Sequence, residues 1–249
     1  SNNLKGVYIS STYGVSWSQS SAPTTFDYTG VASSWSGTKL VAVIGGTVAG
    51  GIYVSPDTGL NWVQSTSAPT EAWNSVSCDS SCTYVVVVIY SSVLSSGGIY
   101  YSGNSGVTFT ESDAPQANWN GVASDSSGQY VVAVIYNSIV GGGGIYRSIN
   151  FGAHWTQVST LAYDWTGVAS DSTGTRYVAV SSGGTIAVST DHGATWTLPT
   201  VPNYNYNCVS MDSTGMFVNV AINSNVLGVG SGRSTSCSDS GSVMGRACW

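Results

Sequence analysis

The chain has very few cationic side chains: six Lys plus Arg face twelve Asp plus Glu among 249 residues, for a net charge of −6. Nucleic acids and anionic membrane surfaces are bound by clustered cations that displace counterions, so neither is expected as a partner. Long apolar runs are also missing. The longest, such as residues 84–90, are strand-sized and too short to cross a membrane as a helix, so no membrane insertion is expected. Nothing resembling a leader precedes Ser1, and the chain reads as soluble and already processed. There are two histidines and no second Cys/His pair at zinc-like spacing, so no metal or cofactor is expected. Little charge does not mean disorder here, because 42% of the residues are hydrophobic and only 7% charged.

Cysteine is sparse but informative. Cys78 and Cys82 flank Asp79-Ser80-Ser81 in what reads as a tight hairpin, a separation that suits a local disulfide and so an oxidising, extracellular compartment. Cys208, Cys237 and Cys248 leave one pair and one odd thiol.

Ser, Thr, Gly and short β-branched runs are abundant, and they recur with a period. Ser55-Pro56-Asp57-Thr58-Gly59-Leu60-Asn61-Trp62 shares its pattern with Ser189, Asp191, Gly193 and Trp196. Variants follow with Ser102, Asn104, Gly106 and Phe109, with Ser148, Asn150, Gly152 and Trp155, and with Ser10, Thr12, Gly14 and Trp17. Their first residues lie 45, 47, 46 and 41 positions apart. A second series, Tyr28, Trp73, Trp119, Trp165 and Tyr206, is spaced 45, 46, 46 and 41. Each of these aromatics opens a strand, a polar turn such as Asp125-Ser126-Ser127-Gly128, and a Val/Ile-rich strand. A Gly-rich loop, a third strand such as Gly144-Ile145-Tyr146-Arg147-Ser148, the Asp-type turn and a fourth strand complete the period.

Four antiparallel strands in about 45 residues predict an all-β chain, a single domain over 1–249 folded as a β-propeller. Five units, starting near 28, 73, 119, 165 and 206, predict five four-stranded antiparallel blades. The first Asp-type turn precedes the first unit. Residues 6–20 are therefore expected to close the last blade, whose inner strands are 206–222, without leaving a free edge. The C-terminal tail, 223–249, is read as a wrapping segment pinned by a disulfide. If the tail instead forms the missing outer strands, the N-terminal hairpin is spare for another subunit.

The S-x-D-x-G-x-x-W turns after G-I-Y-x-S strands resemble the Asp-box, or bacterial neuraminidase, repeat over roughly residues 6–222. The pattern is similar to that of sialidases, xyloglucanases, sortilin-type receptors and photosystem assembly propellers, so the resemblance implies a fold and not an activity. Sialidases of this superfamily clamp a substrate carboxylate with three arginines. This chain has only Arg147, Arg176, Arg233 and Arg246, none on the loop face described next, which excludes that activity.

Alternating strand direction puts the Asp-type and Asp-Ser-Ser-Gly turns on one face. The loops 20–27, 65–72, 111–118, 158–164 and 198–205 then gather on the other, as the candidate binding face. The turns themselves read as fold staples in which the Asp or Asn oxygen accepts turn amides, and isolated carboxylates there make poor calcium sites. Candidate ligand-contacting residues are Tyr28, Trp73, Trp119, Trp165 and Tyr206, whose repetition also fits core packing, and Phe26, Tyr163 and Tyr204, which break the repeat. His154 and His192 read as exposed turn residues with no acid beside them.

The expected function is a secreted, non-catalytic structural or binding module whose partner is an extracellular protein or a glycan. Self-association, if it occurs, would run through the tail or the odd cysteine. The alternative is a glycoside hydrolase drawing a carboxylate pair from Asp27, Glu71, Glu111, Asp113 and Asp164, for instance Glu71 with Asp113.

Overall fold

The computed structural model describes residues 5–46, 48–90, 97–136, 143–159 and 161–223. Among the described residues there is no helix, and the strands form antiparallel sheets that repeat one order. The first strand of each repeat starts at the predicted aromatic: β3 (Tyr28–Ser33), β7 (Trp73–Cys78), β11 (Trp119–Ser124), β15 (Trp165–Ser170) and β18 (Tyr206–Met211). Each pairs with a Val/Ile-rich second strand: β4 (Leu40–Ile44), β8 (Val85–Ile89), β12 (Val131–Ile135), β16 (Tyr177–Ser181) and β19 (Val218–Ile222). Third strands are β5 (Ile52–Ser55), β9 (Ile99–Ser102), β13 (Ile145–Ser148) and β17 (Ile186–Ser189). Fourth strands are β6 (Val63–Gln64), β10 (Thr110–Glu111) and β14 (Thr156–Ser159). Three sheets thus have four strands, while beside β17 the fourth is reduced to a bridge between Val188 and Thr197. The N-terminal hairpin, β1 (Tyr8–Ile9) and β2 (Ser18–Gln19), is a sheet of its own.

Strand β8 shows why a second strand covered on both sides is apolar throughout. Val85, Val87 and Ile89 pack against Val41, Val43 and Ile52 of the first sheet, while Val86 and Val88 pack against Trp119, Val122 and Val131 of the third. Successive side chains point to opposite faces, and both faces are covered, so no polar position is left in the alternation. Each such side chain, fully buried, contributes roughly 1.5–3 kcal/mol before entropy is counted.

A second device ties neighbouring sheets. All five first strands carry a bulge just after the aromatic, between Tyr28 and Gly30, Trp73 and Ser75, Trp119 and Gly121, Trp165 and Gly167, and Tyr206 and Cys208. The bulged residue is released from its own ladder and reaches the next sheet. Thr29 Oγ1 donates to Trp73 O at 2.7 Å, Asn74 Nδ2 to Asn120 O at 2.8 Å, Asn120 Nδ2 to Trp165 O at 3.0 Å, and Thr166 Oγ1 to Tyr206 O at 2.8 Å. A parallel belt runs through the turns: Trp35 N donates to Ser80 O, Ser80 N to Ser126 O, Ser126 N to Ser172 O, and Ser172 N to Ser213 O.

The expected closure through the N-terminus is not what the described residues show. Hairpin β1–β2 does not pair with β19. It packs on the first sheet instead, with Val7 and Ala22 against Ala42 and Trp62, and Ser21 Oγ donating to Leu60 O at 2.6 Å. Both ends of the series are open. Val31 is 49% and Trp35 65% exposed at one end, and Phe217 is 67% and Ile222 53% exposed at the other. The proposed role of 223–249 falls outside the described residues, except for Asn223, whose amide donates to Asn205 O.

Asn120 is buried and holds two neighbours at once, donating to Trp165 O and accepting from Asn74 Nδ2. Substitution Asn120→Ala is expected to cost about 1–3 kcal/mol, because it strands a buried carbonyl. Urea unfolding of the two proteins measures the difference.

Candidate functional site

The two turn sets share one face. Thr58, Ser105, Phe151 and His192 of the Asp-type turns donate their amides to Thr38, Thr83, Gln129 and Thr175 of the first turns. Within each Asp-type turn the same circuit recurs. Ser189 Oγ donates to Asp191 Oδ1 at 2.8 Å and accepts from Gly193 N, Thr195 N and Thr195 Oγ1 donate to the carboxylate, and Trp196 Nε1 donates to Gly193 O. Ser55 and Asp57 make the same bonds, with Asn61 in the place of Thr195 and the Trp62 indole on Gly59 O. Ser148, Asn150, Gly152 and Trp155 repeat it with a neutral amide, as do Ser102, Asn104 and Gly106, where Phe109 has no indole to donate. The residue before each turn glycine is itself left-handed, as at Thr58, Ser105, Phe151 and His192, with φ between 60° and 64°. The circuit holds that strained pair of residues in place. Both oxygens of each carboxylate accept hydrogen bonds within the turn, and among the described residues no three His, Cys, Asp or Glu side chains group as metal ligands.

Four of the five first-strand aromatics lie inside the fold, and Tyr28 is half-buried. Trp73, Trp119 and Trp165 have no exposed surface and Tyr206 is buried, so a ligand has no ring face to stack on in any of them. Their polar atoms are satisfied by the loops: Trp73 Nε1 donates to Gly50 O, Trp119 Nε1 to Pro115 O, Trp165 Nε1 to Leu161 O, and the Tyr28 and Tyr206 hydroxyls to Pro23 O and Pro202 O. Of the residues that break the repeat, Tyr163 stands edge-on to Trp165 with ring centroids 5.5 Å apart, and Phe26 is tilted against Tyr53 at 6.4 Å. Tyr204 is exposed. These residues are spread around the series and do not converge.

The loop carboxylates are mostly occupied. Asp113 accepts from Trp155 N at 2.9 Å and its other oxygen lies 2.9 Å from His154 Nδ1, on the outer rim of the next sheet. The hydrogen bond from the His154 ring, followed by that from the Trp155 amide, holds Asp113 below the usual carboxylate range. Glu71 and Asp113 are therefore not set up as a facing pair, and His154 does have an acid beside it. His192 is half-buried and stacks on Tyr130 with centroids 4.3 Å apart. Asp27 pairs with Lys5 at 3.0 Å. The second sheet alone carries glutamate on its fourth strand opposite the third-strand tyrosine, where Gln64 and Gln157 stand in the first and third sheets. The Tyr100 hydroxyl is pushed up to about 12 by burial, then by the charge and hydrogen bond of Glu111, then by the charge of Glu71.

A ring of residues not singled out in the sequence surrounds the inner end of the loop face. Where each second strand ends, its next amide donates to the residue just before a first-strand aromatic: Gly45 N to Asp27 O, Tyr90 N to Ala72 O, Tyr136 N to Asn118 O, Ser182 N to Asp164 O, and Asn223 N to Asn205 O. Tyr90 and Tyr136 thereby stand on adjacent sheets with centroids 6.4 Å apart and planes at 43°. Asp164 follows on the next sheet, its carboxyl pushed up by burial.

No protein-family model matches the chain, and comparison with curated proteins by sequence finds no match. Solved structures do resemble it. A crystal structure of an ancestral GH74 enzyme aligns with a TM-score of 0.69 at 15% identity, over 89% of this chain and 32% of that one. The nidogen/laminin complex aligns at 0.63 and 10% identity, over 83% of this chain and 76% of its own. YCF48 bound to D1 peptide aligns at 0.55 and 16%, over 80% and 62%. The chain has a β-propeller fold. It spans about a third of the GH74 enzyme's length, and at these identities the likeness concerns fold alone. The sheets described above are therefore blades, and the bond Cys78–Cys82, with Cα atoms 5.0 Å apart, staples the first turn of the second blade.

The staple reading generates an acid-stability prediction. Hydrogen bonding, first from the Thr195 hydroxyl, lowers Asp191 from 3.8 to about 2. A carboxyl depressed in the folded state adds stability above its unfolded pKa and loses it as pH falls through the folded one, here between about pH 4 and pH 2. Asp191→Asn, which imitates Asn104 and Asn150, is expected to keep the fold at neutral pH and flatten that acid limb in thermal melts. An unchanged limb would remove Asp191 from the account.

Proposed function

We propose that the chain is a secreted, non-catalytic propeller of five Asp-box-type blades, serving as an extracellular binding or structural module. The observation that carries this reading is the employment of its acids: Asp57, Asp191 and Asp113 are held by turn amides, indole-bearing turns or a histidine, and Asp27 by a lysine. Beside these engaged acids the loop face offers hydroxyls, amides, phenols and the Asp164 carboxylate, a mixture that suits recognition. The Cys78–Cys82 bond supports an oxidising compartment. Two of the similar structures, nidogen with laminin and YCF48 with D1 peptide, are complexes with a partner.

A fifth blade assembled from β18–β19 and hairpin β1–β2 is part of this proposal. Ile9 fills the space against Gly59 that Val54 fills against Gly106, which supports seating the hairpin as the outer strands of a blade preceding the first. Gly37 faces open space, whereas its counterparts Gly128 and Gly174 rest on Asp79 and Asp125 of the preceding blade. On closure Asn207 would donate to the Tyr28 carbonyl, as Asn120 does to that of Trp165. Asn207→Ala is then expected to cost about 1–3 kcal/mol in urea unfolding. A loss near zero sinks the five-blade ring.

One observation favours an enzyme as second reading, because Glu71 and Glu111 both act on the Tyr100 hydroxyl and mark a candidate carboxylate pair. Reducing-end release from neutral and acidic polysaccharides decides between the two. No release is expected, and release abolished by Glu111→Gln would replace the binding module with a hydrolase.

A further inference from the structure

Tyr90 and Tyr136 are not required by the fold. The same position, one residue past the second strand, is Gly45 in the first blade and Ser182 in the fourth, and the backbone bond that fixes it needs no side chain. This separates them from the first-strand aromatics, which every blade needs for its core. They also differ from Tyr28 and Tyr206, whose hydroxyls are used by the loops, since among the described residues neither the Tyr90 nor the Tyr136 hydroxyl is hydrogen-bonded. Both rings are half-buried, with planes at 43°, and stand together at the inner end of the loop face. Asn118, Asp164 and Ser182 stand at the same level, set by the same ladder of backbone bonds.

We infer that Tyr90, Tyr136 and Asp164 form a binding site for a neutral saccharide. The inference rests on the binding-module reading and supplies its ligand class. Saccharides present apolar C–H faces that lie on aromatic rings and hydroxyls that bond to phenols, amides and carboxylates. Asp164 supplies an acceptor for ligand hydroxyls, and no described cation pairs with it: Lys5 is on Asp27 and Lys39 on Ser105. An acidic saccharide would meet the Asp164 carboxylate in a chain of net charge −6, and Lys5 is already engaged by Asp27. The groups set at this level are two phenols, the Asn118 amide, the Ser182 hydroxyl and one carboxylate, a set weighted toward the hydrogen bonds that a ligand rich in hydroxyls makes.

The test is titration of the full chain, followed by NMR or calorimetry, with cellotetraose, mannotetraose, laminaritetraose, trigalacturonate and tetralysine. At least one neutral oligosaccharide is expected to bind. Tyr136→Ser, which copies the residue of the fourth blade and so preserves the fold, is expected to weaken binding about three- to tenfold, the value of one lost aromatic contact. Asp164→Asn is expected to weaken it as well, while Tyr204→Ala leaves it unchanged. Neutral saccharide binding that Tyr136→Ser and Asp164→Asn do not touch moves the site elsewhere and overturns this assignment, though not the binding module. Binding of trigalacturonate or tetralysine alone overturns the ligand class. No binding of any probe overturns the saccharide inference and leaves the protein-assembly version of the module standing.

Discussion

A sheet that is apolar on both faces has to be covered twice, and nearly every feature of this chain follows from that requirement. Val86 and Val88 look one way from β8 while Val85, Val87 and Ile89 look the other, so the second blade is stable only between the first and the third. The same holds for each blade in turn, which makes the fold a series rather than a set of independent units. Packing alone does not fix the spacing of such a series, because hydrophobic contact is non-directional. The bulge after each first-strand aromatic supplies direction. In the first four blades it turns one polar side chain onto the neighbour's carbonyl, and the belt of turn amides repeats the constraint at the other edge.

The Asp-type turns solve a separate problem. Two consecutive left-handed residues connect the third and fourth strands, and the first of the two is never glycine among the described copies. The strain is met by a hydroxyl, a carboxylate or amide, and an indole that close a ring of hydrogen bonds around it. Asn serves as well as Asp at the centre of that ring, since what the turn needs is one acceptor oxygen and not a charge. That equivalence explains how a recognisable acidic motif can recur across the chain without marking a site of acid chemistry.

Strand starts and turn chemistry were legible because they depend on residues close in sequence: β3, β7, β11, β15 and β18 begin at Tyr28, Trp73, Trp119, Trp165 and Tyr206 themselves, and Cys78 reaches Cys82 across a single turn. Contacts between blades were less so. Asp113 settles on His154 and Trp155, 41 and 42 residues away, and no local pattern points across that gap. Ring closure was illegible for a related reason. It depends on the angle at which successive blades pack, a sum of small rotations that side-chain identity constrains weakly, and the described ends do not meet. Of the candidate site only Asp164 was legible, because aromatics that recur in every blade belong to the core. Tyr90 and Tyr136 carry the opposite signal, aromatic rings at a position where Gly45 and Ser182 show that the fold asks for nothing.

That contrast locates where this architecture has freedom to specialise. First and second strands of the inner blades are committed on both faces, Asp-type turns are committed to their own hydrogen bonds, and third-strand tyrosines lean on the core indoles at 5.1–5.4 Å. The inner ends of the second strands are held only through the backbone, by one amide donating to one carbonyl in each blade. A backbone bond fixes the position of a side chain without dictating its type. Each blade thus offers one rigidly placed, chemically unrestricted position at the inner end of the loop face, and neighbouring blades bring such positions within contact of each other. Pre-organisation of that kind lowers the ordering cost of binding, because the groups that meet a ligand are already fixed relative to one another. The repeat therefore confines recognition to the positions its own hydrogen bonds leave unspecified, which carry phenols in the second and third blades, with the Asp164 carboxylate at the same level in the fourth.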